Sequence, residues 1–223
     1  MGLNKSKGNM YEFITHTWNT VKGRCPHDCS YCYMKRWGKL NQTRFDKKEL
    51  KTDIGEGNII FVGSSCDMWA EEIPDSWIET TLNHCRKFDN KYFFQTKNPK
   101  RIWNFYDDFL SSDKVSFCTT IETNRFYEEY MGDTPTPTER ALEIGGFEND
   151  RYVTIEPIMD FDIDELLKLM DVLHADPMQV NIGADSGRHG LPEPEAWKIE
   201  KLIKKLNKFT TVNKKKNLKR LLT

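Results

Sequence analysis

The chain has 223 residues, of which 38% are hydrophobic, 30% charged and 12% aromatic, with a formal net charge of −1. The aromatic content excludes an intrinsically disordered chain, and the length leaves room for one large domain or two small ones. No stretch approaches the ~20 apolar residues of a membrane helix, and the N-terminus lacks the apolar core of a signal peptide. A cytoplasmic protein with no membrane partner is therefore expected.

In chain order, the first β-branched and aromatic run is "YEFITHTW" (11–18), which reads as a strand. The loop after it, "RCPHDCSYCYM" (24–34), holds Cys25, Cys29 and Cys32 in the order C-x3-C-x2-C. Residues 38–57 are polar and form a long connection. The next strand, "NIIFVG" (58–63), leads through "GSSCDMW" into a helix over 73–88 with Pro74 and Asp75 in its first turn. "KYFFQT" (91–96) is followed by a helix over 98–110, with Asn98 as N-cap and Pro99 at the first helical position. "KVSFCTT" (114–120) precedes a helix over 136–145. "RYVTIE" (151–156) precedes a helix over 161–174, whose Leu166, Leu169, Met170 and Leu173 recur at helical spacing. "MQVNIG" (178–183) and a helix over 194–209 complete the series.

Six strand–helix units imply an α/β fold with a parallel sheet and helical crossovers. Six is fewer than the eight of a closed barrel, so an open doubly wound sheet or a partial barrel fits. In both, ligands gather at the C-terminal ends of the strands. The domain is expected to span 1–209, with 210–223 as a basic C-terminal tail. From Lys201 to Thr223 there are nine basic residues and no acidic ones, a charge of +9 against −10 for residues 1–200. That asymmetry marks either a solvated helix face and chain end or a contact with nucleic acid.

Thiols crowded into one loop of a cytosolic chain point to a metal or to catalysis rather than to disulfides. Thiolates bind zinc or iron–sulfur clusters. A structural zinc ion wants four ligands; His27 could be the fourth, but it sits awkwardly between Cys25 and Cys29. A zinc-stabilised nucleic-acid-binding module is thus the alternative reading. Cys66, Cys85 and Cys118 are scattered and read as buried thiols.

Polar residues recur at the strand ends. Asp67 either caps a helix or holds a ligand. Lys97 suits a carboxylate if it is not a surface lysine. Cys118, Thr120 and Glu122 share one parity, hence one face of a strand. Glu156 precedes Pro157, which ends its strand, and is a candidate for substrate binding or proton transfer. In "NIGADSG", Gly183 and Gly187 allow close approach to the backbone or form a plain turn, and Asp185 is a candidate substrate contact. Trp18, Tyr31, Tyr33 and Trp37 surround the cysteines and read as packing that excludes water.

Three cysteines at this spacing after the first strand, with Tyr31 before the last, resemble the radical S-adenosylmethionine (SAM) superfamily. The resemblance implies a partial (β/α)6 TIM-like barrel. It also implies a 4Fe–4S cluster on Cys25, Cys29 and Cys32, with the fourth iron open to the amino and carboxylate groups of SAM. The segments "TWNTVKGRCPHDCSYCY", "SSCDMW", "FFQTKNPKR", "TTIETN", "TIEPIM" and "NIGADSG", in that order, are similar to a phage- and prophage-associated three-cysteine family. A weaker likeness is to spore photoproduct lyase, a DNA-repair radical SAM enzyme. By place, Gly63 and Ser65 would meet the SAM amino group, although the usual Gly-Gly-Glu is absent. Lys97 would pair with the SAM carboxylate and Asp67 with another polar group. Glu122 and Asn124 would bind the ribose, and the backbone at Gly183 the adenine. Glu156, Asp185 and Cys118 would face the substrate. A reductant such as flavodoxin or ferredoxin, a nucleotide or nucleic-acid substrate and a monomeric state complete the expectation. A catalytically idle member of the superfamily is the third reading.

Overall fold

Seven parallel strands lie side by side in chain order. The structure, a computed structural model, describes residues 3–7, 11–171 and 179–223. The strands are β1 (Asn4–Lys5), β2 (His16–Trp18), β3 (Val21–Lys22), β4 (Arg44–Phe45), β5 (Ile59–Val62), β6 (Lys91–Thr96), β7 (Val115–Thr120), β8 (Asp150–Ile155), β9 (Gln179–Ile182) and β10 (Thr211–Lys214). The sheet runs β1-β2-β5-β6-β7-β8-β9-β10, and β3 pairs with β4 in a small separate hairpin. Only β1 is antiparallel to its neighbour; the other pairs in the sheet are parallel.

The strand period of two sorts the side chains. Tyr92 and Phe94, Val115 and Phe117, Val153 and Ile155, and Val180 and Ile182 face a large core. That core is closed by Ile78 and Leu82 of α1 (Asp75–Cys85), Ala141 and Ile144 of α3 (Pro137–Gly145), Leu166 and Met170 of α4 (Ile163–Asp171), and Ile199 and Leu202 of α5 (Ala196–Leu206). A one-turn helix, α2 (Glu128–Met131), lies before α3. α3 starts in a capping box between Thr136 and Glu139, with Pro137 in its first turn. Helices on one face and a separate set of side chains on the other make a partial (β/α) barrel, as expected.

Most expected elements agree with the structure to within three residues at either end. Positions 172–174 of the expected fourth helix and residue 178 lie outside the described residues. The expected strand over 11–18 begins only at His16. Tyr11 and Ile14 instead join Phe61, Phe93, Cys118 and Tyr152 in a second buried cluster on the inner face. The Tyr11 hydroxyl donates to Gln95 Oε1 (2.8 Å) and lies 2.8 Å from Thr154 Oγ1, so this segment forms the floor of the barrel. The expected helix over 98–110 is a shorter 3-10 helix, Pro99–Phe105. Asp107 then accepts the Phe109 and Leu110 amides in a turn of its own.

Residues 210–223 are not a detached tail. β10 pairs in parallel with β9, Leu218 is fully buried, and Leu221 and Leu222 pack on the core. Lys205 pairs with Asp164 (2.6 Å), Lys215 with Glu156 (2.7 Å) and Arg220 with Glu193, so three of the nine cations are neutralised on the body. Burying Leu218 alone is worth about 1.5–3 kcal/mol. Truncation after Phe209 is expected to lower the thermal midpoint by at least about 5 °C. An unchanged midpoint would return these residues to the status of a solvated end.

Candidate cofactor site at the barrel mouth

The three cysteines lie beyond the C-terminal end of β2, where the parallel strands open. All three are free thiols. Cys29 is buried among Tyr31, Met131, Met159 and Leu191, with Cys32, Tyr127 and Tyr130 at the edge. The loop is fixed by backbone bonds: Ser30 N–H donates to Tyr130 O (2.8 Å) and Asp133 N–H to His27 O (2.9 Å). His27 Nδ1 lies 2.7 Å from the Asp133 carbonyl and Nε2 lies 2.9 Å from Asp67 Oδ2. Both partners are acceptors, so both ring nitrogens donate and the ring is an imidazolium. Burial, the largest single influence, opposes that charge, but the bond and charge of Asp67 together with the Asp133 carbonyl and Cys25 raise the His27 pKa. His27 is therefore the anchor of the loop.

Asp67 ties this loop to the strands. Its Oδ2 also accepts from Thr96 Oγ1 (2.9 Å) and the Lys97 amide (2.8 Å), while Oδ1 accepts the Trp69 amide (3.0 Å). Burial would push its carboxyl up, yet the bonds from His27 and the backbone hold it below the ordinary value.

At the ends of β6 and β7 the fully buried Glu122 collects three donors. Tyr31 OH (2.5 Å) and Lys97 Nζ meet Oε1, and Arg140 Nη1 (2.8 Å) meets Oε2. Lys97 Nζ also lies 2.9 Å from Tyr31 OH. Burial alone would raise the Glu122 carboxyl; the charges of Lys97 and Arg140 reverse this and hold it far below the usual carboxylate range. Arg140, from α3, is itself fully buried and donates further to Thr120 O (2.9 Å), Pro135 O (2.7 Å) and Thr134 Oγ1 (2.7 Å). The structure thus brings Lys97 and Glu122 together, but as partners of each other.

The remaining expected site residues divide. Glu156 is held by Lys215 (2.7 Å) and by Asn217 Nδ2 (2.7 Å). A Cβ at Gly183 would come within 2.5 Å of Glu156 Oε1, so this glycine makes room for a side chain of the protein itself. Asp185 accepts from the Gly187 amide (2.9 Å) and lies 2.8 Å from His189 Nδ1. Burial pushes its carboxyl up, and the bonds from His189 and Gly187 bring it below its ordinary value. Gly63 turns at φ +82°, a left-handed conformation that favours glycine, and the Ser65 amide donates to Asn19 Oδ1 (3.0 Å). Asn124 accepts the Asp162 amide (2.8 Å) outside this cluster. Cys118 lies in the floor, 3.7 Å from Tyr11 OH, with its thiol pushed up to about 12 by burial. The Lys215 ammonium, which pairs with Glu156, lies 4.7 Å from the centre of the same Tyr11 ring.

Sequence reasoning missed Arg140, Thr96 and the anchoring roles of His27 and Tyr31. For Arg140 a signal existed: it shares the buried helical stripe of Pro137, Ala141 and Ile144. Cys66, read as an unconnected thiol, is buried and hydrogen-bonds with Cys25, which raises the Cys25 pKa well above its ordinary value. Burial raises the Cys29 and Cys32 thiols as well.

No three His, Cys, Asp or Glu side chains among the described residues form a group that could hold a single metal ion. A cluster asks something different, one thiolate on each of three irons, and three free thiols on one loop lined by Met131, Met159 and Leu191 suit it chemically.

Fold and site together define an α/β partial barrel with a thiol loop and a buried cationic–anionic cluster at its mouth. Solved structures of spore photoproduct lyase are similar to it. A variant with a dinucleoside spore photoproduct aligns at TM-score 0.63 and 12% identity, covering 95% of this chain and 80% of that one. A second variant, with bound AdoMet and the dinucleoside, aligns at 0.60 and 13%, with the same coverage. At such identities the likeness shows the fold, the partial TIM barrel of radical SAM type. No protein-family model and no curated protein matches the chain, so the phage-associated family is not shown. Among the described residues no helix is long and apolar enough to cross a membrane.

Proposed function

We propose that this protein is a radical SAM enzyme that acts on a nucleic-acid base. The observation that carries the reading is the loop of three free thiols at the mouth of a barrel with the fold of spore photoproduct lyase. The bound AdoMet and dinucleoside of that neighbour support SAM as co-substrate and a base as target. Cys25, Cys29 and Cys32 would hold a 4Fe–4S cluster. When bound, such a cluster supplies the electron that breaks the SAM sulfonium bond and frees a carbon radical for hydrogen abstraction.

The protein's own residues orient and shield. His27 and Asp67 fix the cysteine loop against the end of β6. Lys97 would hold the SAM carboxylate, exchanging part of its contact with Glu122. Glu122 has three donors for about four lone-pair sites and keeps one for a ribose hydroxyl. Tyr127, Met131, Met159 and Leu191 keep water from the thiols. Glu156 and Asp185, at the ends of β8 and β9, would accept hydrogen bonds from base N–H groups.

Anaerobic reconstitution tests this reading. About four irons and four sulfides per chain are expected, with 5′-deoxyadenosine formed from SAM under reduction. Zinc without sulfide would favour the binding module, and a cluster without SAM cleavage the idle fold. Lys97→Met is expected to cost on the order of 2–4 kcal/mol of SAM affinity by calorimetry. Wild-type affinity in that variant would remove Lys97 from the site.

A further inference from the structure

The segment after the third cysteine is unlike the rest of the surface. A 3-10 helix, Tyr33–Trp37, starts at once after Cys32 and is tied to the mouth by the Tyr33 hydroxyl, which donates to Ser64 O (2.5 Å). Trp37 is 70% exposed, the most exposed of the chain's large hydrophobic residues among those described, and Tyr33 is 44% exposed. The Arg36 guanidinium lies 5.1 Å from the Trp37 ring centre and 5.6 Å from that of Tyr33. At about 2 Å rise per residue, Trp37 sits roughly 10 Å beyond Cys32.

This segment is also the start of a positive stretch on an acidic body. Residues 33–51 carry seven basic side chains against two acidic ones, a net charge of +5 in a chain of net −1. Both acids, Asp46 and Glu49, are engaged by Lys22 (2.9 and 2.6 Å). Lys35 pairs with Asp28 (2.8 Å). Arg36 and Lys39 are exposed and make no ion pair with an acidic side chain among the described residues. An exposed indole beside a guanidinium offers a planar surface to a base, and the adjoining cations suit phosphates.

We propose that Trp37, Arg36 and Lys39 form a ledge that binds a nucleic-acid strand at an unstacked base, with Trp37 under the base and Arg36 and Lys39 on the phosphates. The proposal rests on the reading of the substrate as a nucleic-acid base, and names how the strand is held beside the mouth. A paired groove does not fit, because the flat ring face is open only to a base out of its stack. Tyr33 takes part only as the group that supports Arg36.

Fluorescence anisotropy of labelled single-stranded 12-mers, one of deoxyuridine and one of uridine, tests the ledge with the full-length protein. Trp37→Ala is expected to weaken binding roughly ten-fold with an unchanged salt slope, since stacking releases no counterion, and Trp37→Phe to restore most of it. The double variant Arg36→Gln and Lys39→Gln is expected to flatten the slope of log K against log salt by about 1.4, at about 0.7 per phosphate on a single strand. Equal loss on both oligomers supports a strand contact through phosphate and base alone, and loss on only one names the sugar. Thermal midpoints at the wild-type value show that the variants are folded. Wild-type binding in Trp37→Ala and in the double variant, or no binding by the wild type, overturns the proposal. So does unchanged oligonucleotide binding with lost reduction by an acidic flavodoxin, which would make the ledge an electron-donor dock. Binding through the ledge without SAM cleavage would sink the enzymatic reading and leave this one; cleavage without such binding would do the reverse.

Discussion

Replacing Arg140 by Met is expected to destabilise the protein by about 3–5 kcal/mol, because it leaves Glu122 buried with half of its positive charge gone. The change keeps an unbranched apolar stem and removes all of the donors. Glu122 Oε2 loses a bond of 2.8 Å, and the carbonyls of Thr120 and Pro135 lose partners at 2.9 and 2.7 Å. These groups join the end of β7 to the loop before α3, so the loss is local to the mouth. The effect depends on pH with a definite sign. In the wild type the Glu122 carboxyl lies far below its value of about 4.3 in the unfolded chain. It thus contributes stability above that value and loses it as pH falls toward the folded pKa. Without Arg140, burial pulls the folded carboxyl upward and that contribution shrinks. The gap in thermal midpoint between wild type and Arg140→Met is therefore expected to be wide at pH 7 and narrower near pH 3.5. A gap that is small at pH 7, or that widens in acid, would show that Glu122 and Arg140 are not coupled as the geometry has them.

The strands of the sheet could be read because each carries a compact apolar run whose alternate residues enter the helix-side core, as in "KYFFQT" and "KVSFCTT". β10 could not. "TVNK" has only Val212 as an apolar member, and its place is set by pairing with β9, a contact over more than thirty residues that leaves no local pattern. The Tyr11 floor was hidden for a related reason. A run of aromatic and β-branched residues reads as a strand, whereas Tyr11 and Phe13 are taken up by rings of other strands, Phe93 and Tyr152 among them. At the site, the three cysteines and the acidic and basic strand ends were legible as residue types at strand-end positions. Their pairing was not. That Lys97 turns to Glu122, that His27 turns to Asp67, and that Glu156 is held by residues 215 and 217 follow from long-range packing. The basic run near the C-terminus looked free in the sequence because its acidic partners, Asp164, Glu156 and Glu193, lie far away in the chain.

Cys29→Ala is expected to abolish iron and sulfide binding and, with them, SAM cleavage. The expectation rests on where the thiols lie. Cys29 is the buried member of the loop, enclosed by Tyr31, Met131, Met159 and Leu191, and no other cysteine shares that enclosure except Cys32 at its edge. A thiolate lost there has no substitute within reach. Cys25 differs, because the Cys66 thiol is hydrogen-bonded to it from the loop after β5. In the proposed cluster, three ligands on one loop would leave one iron without a thiolate and open to SAM. A fourth thiolate from Cys66 would close it. The three-ligand arrangement therefore predicts a graded pattern. Cys29→Ala and Cys32→Ala lose the broad visible absorbance of the cluster, Cys66→Ala retains about four irons per chain, and Cys85→Ala, fully buried in α1, retains them also. Anaerobic iron and sulfide analysis of the four variants, with circular dichroism to confirm folding, reads the pattern directly. Full iron content in Cys29→Ala would remove the cluster from this loop. Loss of iron in Cys66→Ala, with the fold intact, would make the site a four-thiolate one and leave SAM without a coordination place.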